Sequence, residues 1–196
     1  MSSWTDLKAD THRQYGRFSM AALAKGFLAN RTFRVLVSLR LCQGVSRANP
    51  LARLMLPPCK LLHRLTTSLA AMDLPWRTTV GAGLALTHGW GLVVNQEARI
   101  GRNVTLFHGV TLGRRDRIAP SGERLVEYPV IEDEVFVGPH AVIIGGVTIG
   151  RGSRIAAGAV ITEDVPAHSV VAGNPAAVVK SGCTPDVMNP APLPAD

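Results

Sequence analysis

Two hydrophobic textures divide the chain. From Asp6 to about Ala71 the apolar residues fall at helical spacing, as in Phe33, Val37, Leu39 and Leu41 among regularly placed arginines. No Asn-Gly or Asp-Gly hairpin signal interrupts them, so two or three helices are predicted over residues 1–72. From Asp73 the texture changes to short runs of Val, Ile and Gly. Here Ile131, Val137, Ile143, Ile149, Ile155 and Ile161 stand six residues apart. Four residues after each stand Val135, Ala141, Val147, Ser153, Ala159 and Val165, all small or β-branched. The register extends back through Ile100, Leu106 and Leu112, with Val104 and Val110 at the companion sites, and less regularly through Val80 and Leu86.

A six-residue unit is one short strand and a turn, and one apolar side chain per unit makes a core only if successive coils stack. The pattern therefore predicts a β-prism over residues 73–182. A β-sandwich would instead show strands at 8 to 12 residue spacing with period-two alternation. Glycines such as Gly101, Gly138, Gly150 and Gly158 suit sharp bends or positive φ. The repeat breaks at residues 114–128, a polar stretch with four arginines that predicts an excursion loop projecting from one face. Val170 to Ala176 leaves the repeat and is expected to close the prism, and the Pro-rich segment 183–196 reads as a disordered tail.

Composition narrows the classes. An apolar fraction of 46% in 196 residues supplies a core of ordinary size. The net charge of +7 is uneven: residues 1–80 carry 12 Lys/Arg against Asp6, Asp10 and Asp73, and residues 81–196 carry 9 against 11. The basic front either packs on its own protein or touches a membrane or an anionic glycolipid carrier. Nucleic acid is not the expected partner, because the basic residues alternate with apolar ones and no recognised motif accompanies them. The start of the chain lacks a secretory pattern, and arginines interrupt every candidate membrane span. Cys42, Cys59 and Cys183 are odd in number and widely spaced, which signals neither a disulfide framework nor a metal site. A cytoplasmic protein, with or without membrane association, is expected.

Three segments carry a family resemblance: Leu86 to Asn95 (LTHGWGLVVN), Val110-Thr111-Leu112-Gly113 before the loop, and Ala172-Gly173-Asn174-Pro175-Ala176 after the repeats. Over Asp73 to Lys180 the chain resembles the hexapeptide-repeat acyltransferases, in the branch of serine acetyltransferases and capsule or exopolysaccharide O-acetyltransferases. The resemblance implies a left-handed parallel β-helix assembled as a homotrimer, with an acetyl-CoA-dependent O-acetyltransferase site between subunits and no metal. The family's general base is a histidine held by an aspartate 15 positions upstream, the separation of Asp73 and His88. Such a pair suits the chemistry, because an imidazole titrating near neutrality accepts the proton of an attacking alcohol and a carboxylate fixes its tautomer. His108, in the next coil, is a further candidate for the site. His12, His63, His140 and His168 lie outside the motif. No cysteine lies in a histidine-bearing motif, which disfavours a covalent acyl-cysteine route.

By position, the resemblance assigns acetyl-CoA to Gly113, Gly138, Pro139, Arg154 and Ala157, with Lys180 as a phosphate partner. The acceptor is read from the departures. Where serine acetyltransferases carry an aspartate before the histidine this chain has Thr87, and where they carry Arg-His before a proline it has Glu127-Tyr128. Thr87, Trp90, His108 and Tyr128 together suit a neutral sugar. The expectation is therefore acetylation of a sugar hydroxyl in capsule or exopolysaccharide synthesis. Serine O-acetylation in cysteine biosynthesis is the alternative, and a non-catalytic trimeric assembly module is a third reading.

Overall fold

The computed structural model describes residues 2–192. Five helices come first: α1 (Ser3–Tyr15), α2 (Met20–Ala29), α3 (Arg31–Ser46), α4 (Pro50–Arg53) and α5 (Leu56–Leu69). Side-chain caps set the starts of the first four, and α5 begins without one. Ser2, Ser19, Asn30 and Asn49 each accept from backbone N–H groups of the first turn, and Gly16 ends α1 with a φ of 71°. The expected two or three helices are corrected to five, because the caps at Ser19, Asn30 and Asn49 cut one apolar periodicity into short pieces.

The repeats then wind as successive coils of three strands. The coils are β1 (Thr79–Val80), β2 (Ala85–Thr87) and β3 (Val93–Val94); then β4 (Arg99–Ile100), β5 (Thr105–Phe107) and β6 (Thr111–Gly113). The excursion forms β7 (Arg115–Ile118) and β8 (Arg124–Glu127). The coils resume with β9 (Val130–Ile131), β10 (Phe136–Val137) and β11 (Val142–Ile144), then β12 (Thr148–Ile149), β13 (Arg154–Ile155) and β14 (Val160–Ile161). Last come β15 (Val170–Gly173) and β16 (Ala176–Lys180). Strands one coil apart pair in parallel, giving sheets ordered β1-β4-β9-β12, β2-β5-β10-β13-β15-β16 and β3-β6-β11-β14. These are the faces of a prism.

The period-six residues form its core. Leu86, Leu106, Val137, Ile155 and Val171 stack as direct register partners, and Leu112, Ile143 and Ile161 do so on another face. The companions Val104, Val135, Ala141, Val147, Ser153, Ala159 and Val165 are buried too. Burial of each large aliphatic side chain stabilises by about 1.5–3 kcal/mol. Among the glycines read as turn residues, Gly158 has a positive φ, of 68°. Gly101 and Gly138 do not, and serve close stacking instead: a Cβ on either would lie 2.6–2.9 Å from the adjacent coil.

Three further expectations change. The excursion is an antiparallel β7–β8 hairpin, cross-linked by Arg115–Glu127, Arg117–Glu127 and Arg124–Asp116 pairs. Val170–Gly173 remains a rung of the prism, parallel to β13, before β16 folds back antiparallel on it. The tail assigned as disordered packs along a corner as far as 192. Ala191 is buried and exchanges hydrogen bonds with the Asn103 side chain, while Asp186 pairs with Arg154 at 3.0 Å. Residues 193–196 of that tail lie outside the described residues.

The helices close the N-terminal end of the prism by hydrogen-bonding the backbone of its first coil. Arg40 donates to Val80 O and Gly81 O and pairs with Asp10, whose Oδ1 accepts from Gly83 N and Leu84 N. Arg13 donates to Gly83 O and Thr105 Oγ1, and Gln43 to Thr78 O. Arg40, Asp10 and Arg13 are buried. Part of the basic excess is thus an internal seal rather than a free surface.

Candidate active site

One corner of the prism, between the faces built on β2 and β3, collects the histidines. His88, His108 and His140 occupy it on successive coils, with ring centroids 6.0 Å and then 4.9 Å apart. His88 and His140 reach their places through left-handed backbone, at φ 61° and 58°, which is unfavourable for a residue with a Cβ and concentrates at functional positions. Gly89 and Gly91 continue the turn at 60° and 67°. Gly89 allows the corner to tuck beneath the start of α3, since a Cβ there would strike Met72 and Thr32. The His88 imidazole is exposed, and the Nδ1 of His108 is buried without a hydrogen-bond partner.

Asp73 lies alongside this turn. Its N–H donates to Leu92 O at 2.8 Å, and its carbonyl accepts from Val94 N at 2.8 Å. Asp73 therefore lies one rung before the coil that carries His88, paired with Val93 at the start of that coil's third strand. The Asp73 and His88 side chains are both exposed and make no hydrogen bond to each other in this state. Such contacts are often long or open before substrate arrives.

A cavity of about 550 Å³ opens against His88, lined by Gln14, Asn30, Arg31, Thr32, Arg34, Thr87 and neighbouring apolar groups. It has two arginines and no carboxylate in its lining. Arg31 lies flat over the Trp90 ring, 3.4 Å from its centroid, and donates through Nη2 to His88 O at 3.1 Å. Arg34 holds Phe27 O and Leu28 O. Neither arginine was singled out by the sequence. Arg31 meets His88 across 57 positions and Arg34 only shares the cavity lining with it, but one local signal was legible: Arg31 opens α3 with no acidic residue in its first turn, against the helix dipole.

The other predicted residues are more dispersed. Thr87 lines the cavity, and Trp90, half exposed, stacks on Arg31 outside that lining. Gly138, Pro139 and Ala157 share the histidine corner on later coils, where Gly158 N donates to Pro139 O. Arg154 projects from the adjoining face, 4.7 Å over the Phe136 ring. Lys180 ends β16, paired with Val170. Gly113 is at the far edge of the next face and Tyr128 follows the hairpin, so within one chain neither joins the corner. Glu127 is occupied: Arg115 and Arg117 hold its carboxyl below the usual carboxylate range. Burial, with Cys59 nearby, pushes the Cys42 thiol up to about 11, far from nucleophilic at neutral pH.

Comparison with known proteins bears on the acceptor. The family described as bacterial transferase hexapeptide (six repeats) matches residues 128–163. Serine acetyltransferase 2 of Arabidopsis thaliana is 39% identical over 119 residues, 61% of this chain and 35% of that protein. The Bacillus pumilus serine acetyltransferase is 33% identical over 61% of this chain and 53% of its own length. The chain thus spans roughly a third to a half of the curated relatives it matches. Among solved structures, the serine acetyltransferase of Brucella abortus strain S19 in complex with coenzyme A superposes with a TM-score of 0.69 at 30% identity, covering 93% of this chain and 68% of that one. Soybean serine acetyltransferase, as apoenzyme, gives 0.73 at 29%.

These relatives overturn the sugar-hydroxyl expectation. It rested on Thr87 in place of an aspartate and on Glu127-Tyr128 in place of a basic pair before Pro129, whereas the structure places Arg31 and Arg34 with His88 in the lining of one cavity. Through its repeats, and through an enzyme it matches at 30% identity over 68% of that enzyme's length, the chain belongs to the hexapeptide-repeat acyltransferases.

Proposed function

We propose that this chain is an acetyl-CoA-dependent serine O-acetyltransferase, acting as a homotrimer of left-handed β-helices. The observation that carries the acceptor assignment is the cationic cavity against His88. A small hydroxy-amino acid placed there meets Arg31 with its carboxylate, while Thr87 and Gln14 offer neutral oxygens to its ammonium. The relatives' names point to the same acceptor.

His88 is the general base. As the serine hydroxyl oxygen attacks the thioester carbonyl, His88 takes its proton, and the C–O bond forms. The tetrahedral intermediate collapses with cleavage of the C–S bond, and the proton passes to the departing thiolate, leaving O-acetylserine and free coenzyme A. Asp73 swings onto the other ring nitrogen to hold the tautomer and steady the imidazolium. Gly138, Pro139 and Ala157, on the same corner, present backbone to the acetyl-CoA chain, and Arg154 and Lys180 suit its phosphates. Gly113 and Tyr128 lie on another corner and meet this site across a subunit boundary.

The test is thiol release from acetyl-CoA with L-serine as acceptor. Wild type is expected to turn over, and His88→Ala to lose about 10²- to 10⁴-fold in kcat. Failure of wild type to bind acetyl-CoA would leave the assembly-module reading in its place. Binding without serine turnover would remove serine as the acceptor.

A further inference from the structure

Helix α5 is built inside out. The two residues it buries are polar: His63 and Thr66, with Ser38 Oγ of α3 2.8 Å from both His63 Nδ1 and Thr66 Oγ1, and His63 Nε2 donating to Leu74 O at 2.7 Å. Burial pushes the His63 imidazole below its ordinary value and keeps it neutral. Its leucines face the other way. Leu61, Leu65 and Leu69, at i, i+4 and i+8, form one outward stripe at 59%, 53% and 69% exposure. Leu51, Leu54 and Met55, in and after α4 and directly before α5 in the chain, are exposed as well, at 76%, 70% and 57%. An exposed leucine stripe of this kind marks an interaction surface.

Charge identifies what covers it. Arg53, Lys60 and Arg64 of the same helices are exposed, Lys60 with its Nζ 5.1 Å over the Trp76 ring, and between Thr11 and Met72 the sequence contains no Asp or Glu. A second copy docked through this face by a two-fold axis would set these cations against their own images with no carboxylate to offset them. An anionic bilayer supplies both missing partners, acyl chains for the leucines and headgroup phosphates for the arginines. Among the described residues no helix is long and apolar enough to cross a membrane. From this face we infer that α4 and α5 form a peripheral docking surface for anionic phospholipid, lying in the interface with the leucine stripe inserted.

The experiment is co-sedimentation of the full chain with phosphatidylcholine vesicles containing or lacking phosphatidylglycerol, at low and raised salt. Three proteins are compared: wild type, the Leu61→Ser/Leu65→Ser pair, and the Arg53→Gln/Arg64→Gln pair. All four side chains are exposed and outside the proposed catalytic machinery, so thermal midpoint and acetyl transfer to a soluble acceptor should be retained. Wild type should bind the anionic vesicles and not the neutral ones, and each pair should weaken that binding by about tenfold or more. No binding to anionic vesicles by wild type, or equal binding by all three proteins, overturns the inference. So does a concentration-dependent rise in solution mass that the leucine pair abolishes, since the occupant is then another copy of the chain.

Discussion

Arg31 occupies a position that a helix by itself disfavours. A cation at the first residue of α3 faces the positive end of the dipole, at a cost of about 0.3–1 kcal/mol. It also lies over Trp90 and touches the His88 carbonyl, with no acidic partner among the described residues. A residue that breaks a local rule without local compensation marks a functional position. Replacement by Gln should raise the KM for L-serine about tenfold or more, the worth of a charge-assisted hydrogen bond, and change kcat little. With L-serinamide, which lacks the carboxylate, wild type and variant should be equal. Equal KM values for L-serine in both proteins would remove Arg31 from the acceptor site. As a candidate base, His88 was legible because its neighbours in sequence form a motif. Arg31 was not, because its meaning comes from residues 57 positions away.

At the scale of elements, the helical region and the first coil are one unit. Asp10 accepts from Arg40 through both oxygens and from two backbone N–H groups of the coil, all out of solvent. Asp10→Ala leaves the buried Arg40 with only the longer Asp6 contact at 3.8 Å as counter-charge and orphans both N–H groups, at an expected cost of about 3–5 kcal/mol. For a chain of this size that lowers the thermal midpoint by about 10 °C, readable by circular dichroism. Retention of the wild-type midpoint would show that the helices do not seal the prism. The period of six was plain in the sequence, since each coil repeats one demand for a single buried aliphatic. The number of helices was not, because their boundaries are set by single capping residues such as Asn30 and Asn49 inside one continuous apolar periodicity. The arginines likewise read as surface charge, although Arg13 and Arg40 serve carbonyls that only the folded coil brings to them.

At the scale of the molecule, the β7–β8 hairpin and the histidine corner lie on different edges of the prism. Cyclic assembly about a three-fold axis lets the hairpin of one chain meet the corner of the next. Two crippled chains should then repair each other. A chain carrying His88→Ala and a chain lacking residues 116–126, each inactive alone, should give about a quarter of wild-type activity when co-assembled in equal amounts, since half the interfaces receive each intact part. A mixed preparation as inactive as its components would confine the site to one chain. The corner that carries the candidate site could be read from the repeat register, but the identity of a facing corner could not, because no residue pattern within one chain encodes the rotation between copies.

The seal on the first coil bears on how such a protein avoids polymerising. A stack of identical coils presents, at its end, a row of backbone groups that fits another copy of itself, the geometry from which open-ended fibres grow. In this chain the carbonyls of Thr78, Val80, Gly81 and Gly83 and the amides of Gly83 and Leu84 are already bound by Gln43, Arg40, Arg13 and Asp10. At the opposite end β16 runs against the parallel direction of the stack. A chain stripped of its helices would keep its repeats and lose this protection, and its characteristic failure would be filament growth rather than unfolding.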